Sequence, residues 1–410
     1  MRSPQEMKRR NATRRRRARA SVLMAAAAAI FGAGCSRAVL PATGSHPAVF
    51  QPIGPFYQPP RPLPPGAPGQ LIRDEPMAAP AGFRAWRILY HSRSVAGADI
   101  PVSGFVVIAS RPAPAAGRPV LAYAHGVRGL ANICAPSNTT QPLAAIQEYA
   151  PMLKAGAAVV ATDYPGLGAP GSHPYLVGES EARSVLDAVR AAQRLPALGL
   201  SSDLVVFGDT QGGQAALFTG QIASQYAPQL HLLGIAAEDP PTNLIALERH
   251  AATTPFAAES LLEAAAGYSA AHPSADLRTI LTRRGLTDLG LLRRECDDQF
   301  GKATAGQSIP SVFASNPLTT PPWSTGLAAG AAGAARTPAP ILIVQGSADQ
   351  VYRASITVSF VQHICTLGDT VDYRTYSQIG HAVTIAAANG IITWITSRLA
   401  RRPAPSTCRK

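Results

Sequence analysis

The stretch LVVFGDTQGGQAALF, residues 204 to 218, sets a hydroxyl at the tip of a glycine turn. An apolar run leads into Gly208-Asp209-Thr210-Gln211-Gly212, and a helical pattern follows. The spacing is that of G-x-S-x-G, in which a strand runs straight into a helix and the nucleophile protrudes from the strained turn between them. Threonine stands where serine is usual. Gly208, Gly212 and Gly213 leave out the side chains that would keep strand and helix apart. Such a hydroxyl carries out acyl transfer only with a base to take its proton and a carboxylate to hold the base. The extra methyl of threonine adds a difficulty, because a β-branched residue in a sparsely allowed backbone region is strained by about 1–3 kcal/mol.

On this fold plan the partners come in the order nucleophile, acid, base. Downstream of Thr210 the histidines are His231, His250, His272, His363 and His381. His381, in SQIGHAVT, falls between the last strand pattern and the last helical pattern, where the base belongs. His363 lies within a helical pattern, and the other three precede any late acid. Asp349, in ILIVQGSADQVY, follows an apolar strand pattern by a few residues and is the expected acid. Asp239, in EDPP, is its rival, while Asp369 and Asp372 read as surface loop residues. A developing oxyanion needs backbone donors. One is expected from the amide of Gln211, and the other from Gly126 or Val127 in HGVRGL, the turn after VLAYAH; His125 in that turn reads as structural.

The elements that must position these residues can be traced by pattern. Strands are predicted near 84–92, 102–109, 120–125, 157–162, 204–208, 232–238, 341–346 and 371–376. Helices are predicted near 142–154, 178–194, from about 212, near 354–366 and near 382–399. Short apolar runs separated by helices imply a parallel sheet covered on both faces, hence an α/β fold. Residues 240 to 337 break the alternation with helical pieces and an alanine-rich run, GLAAGAAGAARTPAP. This reads as a helical cap inserted between late strands, against the alternative of an unrelated helical domain. The expected organisation is a signal peptide at 1–34, a proline-rich arm at 35–80, a core at 81–239 and 338–400 around the cap, and a tail at 401–410.

Of the formal net charge of +13, nine Lys and Arg against Glu6 sit in the first 19 residues, so the rest carries about +5. No basic stripe remains for nucleic acid. Basic residues followed by SVLMAAAAAIFGAG at 21–34 form a secretory signal, and fourteen apolar residues are too few to span a bilayer comfortably. Gly32-Ala33-Gly34-Cys35 partly matches a lipobox, with Gly32 in the place of leucine, so Cys35 is a candidate for acylation and membrane association. Beyond it, Cys134, Cys296, Cys365 and Cys408 are an even set in an oxidising compartment, which allows two disulfides in any of three connectivities. Neither a metal nor an organic cofactor is expected.

Three motifs mislead. LPATG at 40–44 lies at the wrong end of the chain for a sortase signal. GLGAPG at 166–171 satisfies G-x-G-x-x-G, but Pro170 prevents a helix from starting where a pyrophosphate would need its amides. GYSAA at 267–271 has no strand before it.

Taken together, PFYQPP (55–60), PGQLIR, AYAHGVRGLANICAPS, ATDYPGLG, GDTQGGQAAL, GSADQVY and GHAV resemble the secretory lipase family of α/β-hydrolases, and these motifs span nearly the whole mature chain. The resemblance implies that the insertion is a lid over an acyl pocket and that the substrates are acyl esters, including water-insoluble lipids. It also implies a triad of Thr210, Asp349 and His381, with Cys134 paired to Cys296 and Cys365 to Cys408. Three functions remain open at this point: an exported ester hydrolase working through an acyl-enzyme, a catalytically impaired relative that binds an acyl ligand, and a peptidase or acyltransferase.

Overall fold

A computed structural model describes residues 49–252, 254 and 256–408. The expected signal segment, Cys35 and the 40–44 motif lie outside the described residues.

Nine strands form one sheet. They are β1 (Leu71–Met77), β2 (Phe83–Arg93), β3 (Asp99–Ala109), β4 (Arg118–Ala124), β5 (Ala158–Thr162), β6 (Leu200–Asp209), β7 (His231–Glu238), β8 (Ile341–Gly346) and β9 (Val371–Tyr376). Their spatial order is β1-β2-β3-β5-β4-β6-β7-β8-β9. The first three strands and the β3–β5 pair are antiparallel, and from β5 to β9 every pair is parallel. Strand β1 is a difference from the sequence reading. Its residues, LIRDEPM, fall within the expected arm, and their charges and proline hide a strand that sits on an edge with one neighbour.

The parallel strands are apolar along their length because both faces are covered. Alternation with period two still assigns each side chain to a face. In β4, Val120, Ala122 and Ala124 enter one core, while Leu121 and Tyr123 enter the other; β6 divides into Leu204 and Val206 against Val205 and Phe207. Helix α1 (Ala150–Ala155) covers the second face with Met152 and Leu153. On the first face lie α2 (Gly178–Gln193) and α3 (Gln211–Tyr226), through Val185, Leu186, Ala215 and Ala216.

The chain between β7 and β8 holds α4 (Leu244–Ala251), α5 (Ala257–Ala271), α6 (Arg283–Leu292), α7 (Asp297–Thr304), α8 (Ile309–Val312) and α9 (Trp323–Ala329). These helices share an apolar cluster of their own, built on Leu261, Leu262, Phe300 and Trp323, which also takes in Leu130, Tyr175 and Leu176 from the loops above the sheet. Helix α10 (Ala354–Thr366) then joins the first face, and α11 (Thr384–Leu399) joins the second with Ile391, Trp394 and Ile395.

Both disulfides match the pairing that the resemblance implied. Cys134–Cys296 ties the loop after β4 to the start of α7, and Cys365–Cys408 ties α10 to the carboxyl-terminal segment. That segment runs along β9, where the Thr407 amide donates to Val371 O and the Tyr373 amide donates to Thr407 Oγ1. Among the described residues no helix is long and apolar enough to cross a membrane.

Candidate active site

Thr210 caps α3 at the end of β6 with φ 53° and ψ −114°. Few non-glycine residues adopt such angles, and for a β-branched side chain the conformation is an outlier. What enforces it is the packing around the turn. A Cβ on Gly208 would lie 1.9 Å from Gly212 O, and one on Gly212 would lie 1.8 Å from Ala124 O. A Cβ on Gly213 would crowd Glu238 O at 2.9 Å. The Thr210 amide donates to Glu238 O at 2.8 Å, which pins the turn to β7.

Thr210 Oγ1 lies 3.2 Å from His381 Nε2, and His381 Nδ1 lies 2.9 Å from Asp349 Oδ2. A carboxylate only accepts, so the imidazole proton sits on Nδ1 and leaves Nε2 to accept from the threonine hydroxyl. Asp349 is buried and held on both oxygens: Oδ1 accepts from the amides of Val351 and Tyr352, and Oδ2 also accepts from Gln345 Nε2. Burial pulls the His381 pKa down. The Asp349 hydrogen bond and charge, helped by Asp239 and Asp209, outweigh it and leave the imidazole above its ordinary value.

Asp239 is not the partner of His381. Its Oδ1 accepts from the Gly346 amide and its Oδ2 from the Val383 amide, each at 3.0 Å. It therefore joins the end of β8 to the loop carrying the histidine, from a backbone held at φ 39°. Asp369 and Asp372 differ from the sequence reading, since both are buried. Asp369 accepts from the Thr337 amide and Asp372 pairs with Arg374 on β9, uses that a loop assignment from sequence alone does not reveal.

The oxyanion donors come out differently for the three expected residues. Gln211 starts α3, where its amide has no intrahelical acceptor, and Val127 sits in the turn after β4; among the described residues neither amide donates to a protein acceptor. The Gly126 amide is engaged instead, donating to Asp209 Oδ2 at 3.1 Å. His125 faces backbone oxygens of Gly126 and Asp163, and burial lowers its pKa to about 4, so it stays neutral.

Sequence reasoning missed the buried polar group beneath the elbow. The side chain of Gln211 donates to Glu181 Oε1 at 2.7 Å and to His173 Nε2 at 2.8 Å. His173 fixes its own tautomer by donating Nδ1–H to Pro165 O. Burial raises the pKa of Glu181 to about 8 and lowers that of His173 to about 3, so both are neutral over much of the range in which the site would work. The group holds the residue that follows Thr210. Only Gln211 marked it in the sequence, as a long polar side chain directly before two glycines at the helix start.

A nucleophile elbow on a mostly parallel sheet, with an acid after β8 and a histidine after β9, defines the α/β-hydrolase fold. Comparison agrees with this. Candida antarctica lipase A superposes with a TM-score of 0.76 at 20% identity, covering 88% of this chain and 89% of that one. The rice cell wall degrading esterase LipA of Xanthomonas oryzae gives 0.68 at 19% identity, covering 82% of this chain and all of that one. The chain belongs to the secretory lipase family, whose model matches residues 134–407. A secreted triacylglycerol lipase of Malassezia globosa is 28% identical over 260 residues, 59% of this chain and 55% of that protein. A probable inactive lipase of Mycobacterium tuberculosis is 26% identical over 203 residues, 45% of each chain. The matched region thus spans about half the length of these two relatives.

Proposed function

We propose that the protein is an exported carboxylic-ester hydrolase acting on acyl esters, with Thr210 as nucleophile, His381 as general base and Asp349 as the acid that orients it. The hydrogen-bonded chain Thr210 Oγ1, His381 Nε2, His381 Nδ1, Asp349 Oδ2, at 3.2 and 2.9 Å, carries the reading. Thr210 Oγ1 attacks the ester carbonyl carbon as its proton passes to His381 Nε2. The negative charge gathers on the carbonyl oxygen, facing the amides of Gln211 and Val127. Collapse expels the alcohol with the proton from His381, and water then attacks the acyl-enzyme by the same route in reverse. The α4–α9 segment acts as a lid above the acyl group. Two disulfides and secreted relatives support export.

A second reading has its own support. Thr210 combines a β-branched side chain with φ 53°, and one relative is a probable inactive lipase. On that reading the site binds an acyl ligand and turns nothing over.

Hydrolysis of short- and medium-chain p-nitrophenyl esters by wild type, Thr210→Ala and Thr210→Ser separates the two. The hydrolase reading expects wild type to exceed Thr210→Ala by at least about 10²-fold, a fraction of the roughly millionfold loss when a serine nucleophile is removed. Equal rates for wild type and Thr210→Ala, with a large gain in Thr210→Ser, would establish the impaired binder.

A further inference from the structure

Asp209 occupies the variable position just before the nucleophile, and nothing in the motif requires a carboxylate there. Its two oxygens are both in use. Oδ2 accepts from the Gly126 amide at 3.1 Å and Oδ1 accepts from the Tyr123 hydroxyl at 3.0 Å. The Tyr123 ring is itself fixed, stacked on Phe207 at 6.0 Å between centroids and tilted against Tyr149. The approach is close enough that a Cβ on Gly126 would stand 2.4 Å from Asp209 Oδ2, so a side chain there would have to displace the carboxyl group. Ala124, the last residue of β4, pairs with Gly208 in the β4–β6 register, which brings the turn after β4 alongside Asp209 at the end of β6.

We infer that Asp209 is a positioning residue: its carboxyl group straps the 126–128 turn to the elbow and so sets where the Val127 amide stands relative to Thr210 Oγ1. This rests on the hydrolase reading for its kinetic consequence, though not for the strap itself. A donor displaced by about 1 Å stabilises the oxyanion poorly, and losing one oxyanion donor costs about 10²–10³-fold in turnover. The groups facing the carboxyl are Tyr123 and the Gly126 amide, with Arg128, Glu238 and His381 close enough to act on it or be acted on by charge.

The test compares Asp209→Ala, Asp209→Asn and Tyr123→Phe in the full exported chain, with Thr210→Ser as the background if wild type is slow. Asp209→Ala is expected to lower kcat by about 10- to 100-fold with KM little changed. Asp209→Asn should restore most of it, because the carboxamide oxygen still accepts from Gly126 while its NH2 donates to Tyr123. Tyr123→Phe, the milder change should Asp209→Ala fold poorly, should show a smaller loss of kcat. Hydrogen exchange of the 120–130 segment is measured alongside: it should quicken in Asp209→Ala and not in Asp209→Asn. Unchanged exchange in Asp209→Ala overturns the strap even if no ester is hydrolysed. Asp209→Asn as impaired as Asp209→Ala overturns it too, by showing that charge and not the bridge matters. Absence of turnover in the Thr210→Ser parent counts against the hydrolase reading alone.

Discussion

At the scale of single residues, the proposed hydrolase reading makes the His381 imidazole the group that sets the pH dependence. It works as a base only when neutral, and its pKa is raised above the ordinary 6.5. Ester turnover should therefore rise with pH through a midpoint above 6.5, measured as the acid limb of kcat/KM. Asp349→Asn removes the carboxylate that holds Nδ1–H and should reduce kcat by roughly 10⁴-fold. That Thr210, His381 and Asp349 would come together was legible in the sequence because each follows a strand pattern in the required order. The contacts of Asp239 and Asp209 were not legible. A carboxylate next to a motif looks the same whether it serves the base, the loop beside it or the oxyanion turn, and only the register of β4 on β6 and the loops after β8 and β9 decide which amides it meets.

At the scale of elements, the helical insertion of α4–α9 holds carboxylates that, among the described residues, form no ion pair. Glu248 on α4 and Glu259 and Glu263 on α5 lie near Asp297 of α7 and the phenols of Tyr175 and Tyr352. Burial raises Glu248 and Glu259 to about 7 and pushes Glu263 well above the ordinary range. Among the described residues, Glu248 Oε2 and Glu263 Oε1 are buried without a hydrogen-bond partner. The folded insertion thus holds protons that the unfolded chain releases near 4.5, so its stability is fully present at lower pH and declines as pH rises from about 4.5 toward 7 and beyond. Thermal unfolding followed from pH 5 to pH 9 should show a falling Tm. Glu263→Gln, which keeps the shape and cannot ionise, should flatten that fall. A Tm that is constant across the range in wild type would contradict it. The segment connects to the site through Tyr352, whose ring meets His381 edge-on at 5.1 Å. Periodicity revealed these helices as helices; that their buried faces would contain carboxylates could not be read from it, because the second partner of each face is a distant helix.

At the scale of the molecule, the Cys134–Cys296 bridge closes 162 residues and fastens the helical insertion beside the turn after β4. The approach is close: Gly129 has φ 108°, and a Cβ on it would stand 2.8 Å from Cys296 Cα. Replacing both cysteines by alanine should cost about 3–5 kcal/mol, read as a lower Tm together with faster proteolysis within 240–337. The Cys365–Cys408 pair closes only 43 residues, and its removal should loosen the carboxyl-terminal segment while leaving the helical insertion resistant.

That segment also answers a question which any protein with an open sheet must meet. The outer side of β9 would offer a row of bare amides and carbonyls to a strand from another molecule, but residues near Thr407 already occupy part of it and a disulfide keeps them there. At the opposite margin, β1 presents Arg73, Asp74, Glu75 and Pro76, a sequence on which a foreign strand finds charge and a missing donor. Both margins of the sheet are thus guarded against edge-to-edge aggregation, one by a stapled strip of the chain's own end and the other by composition.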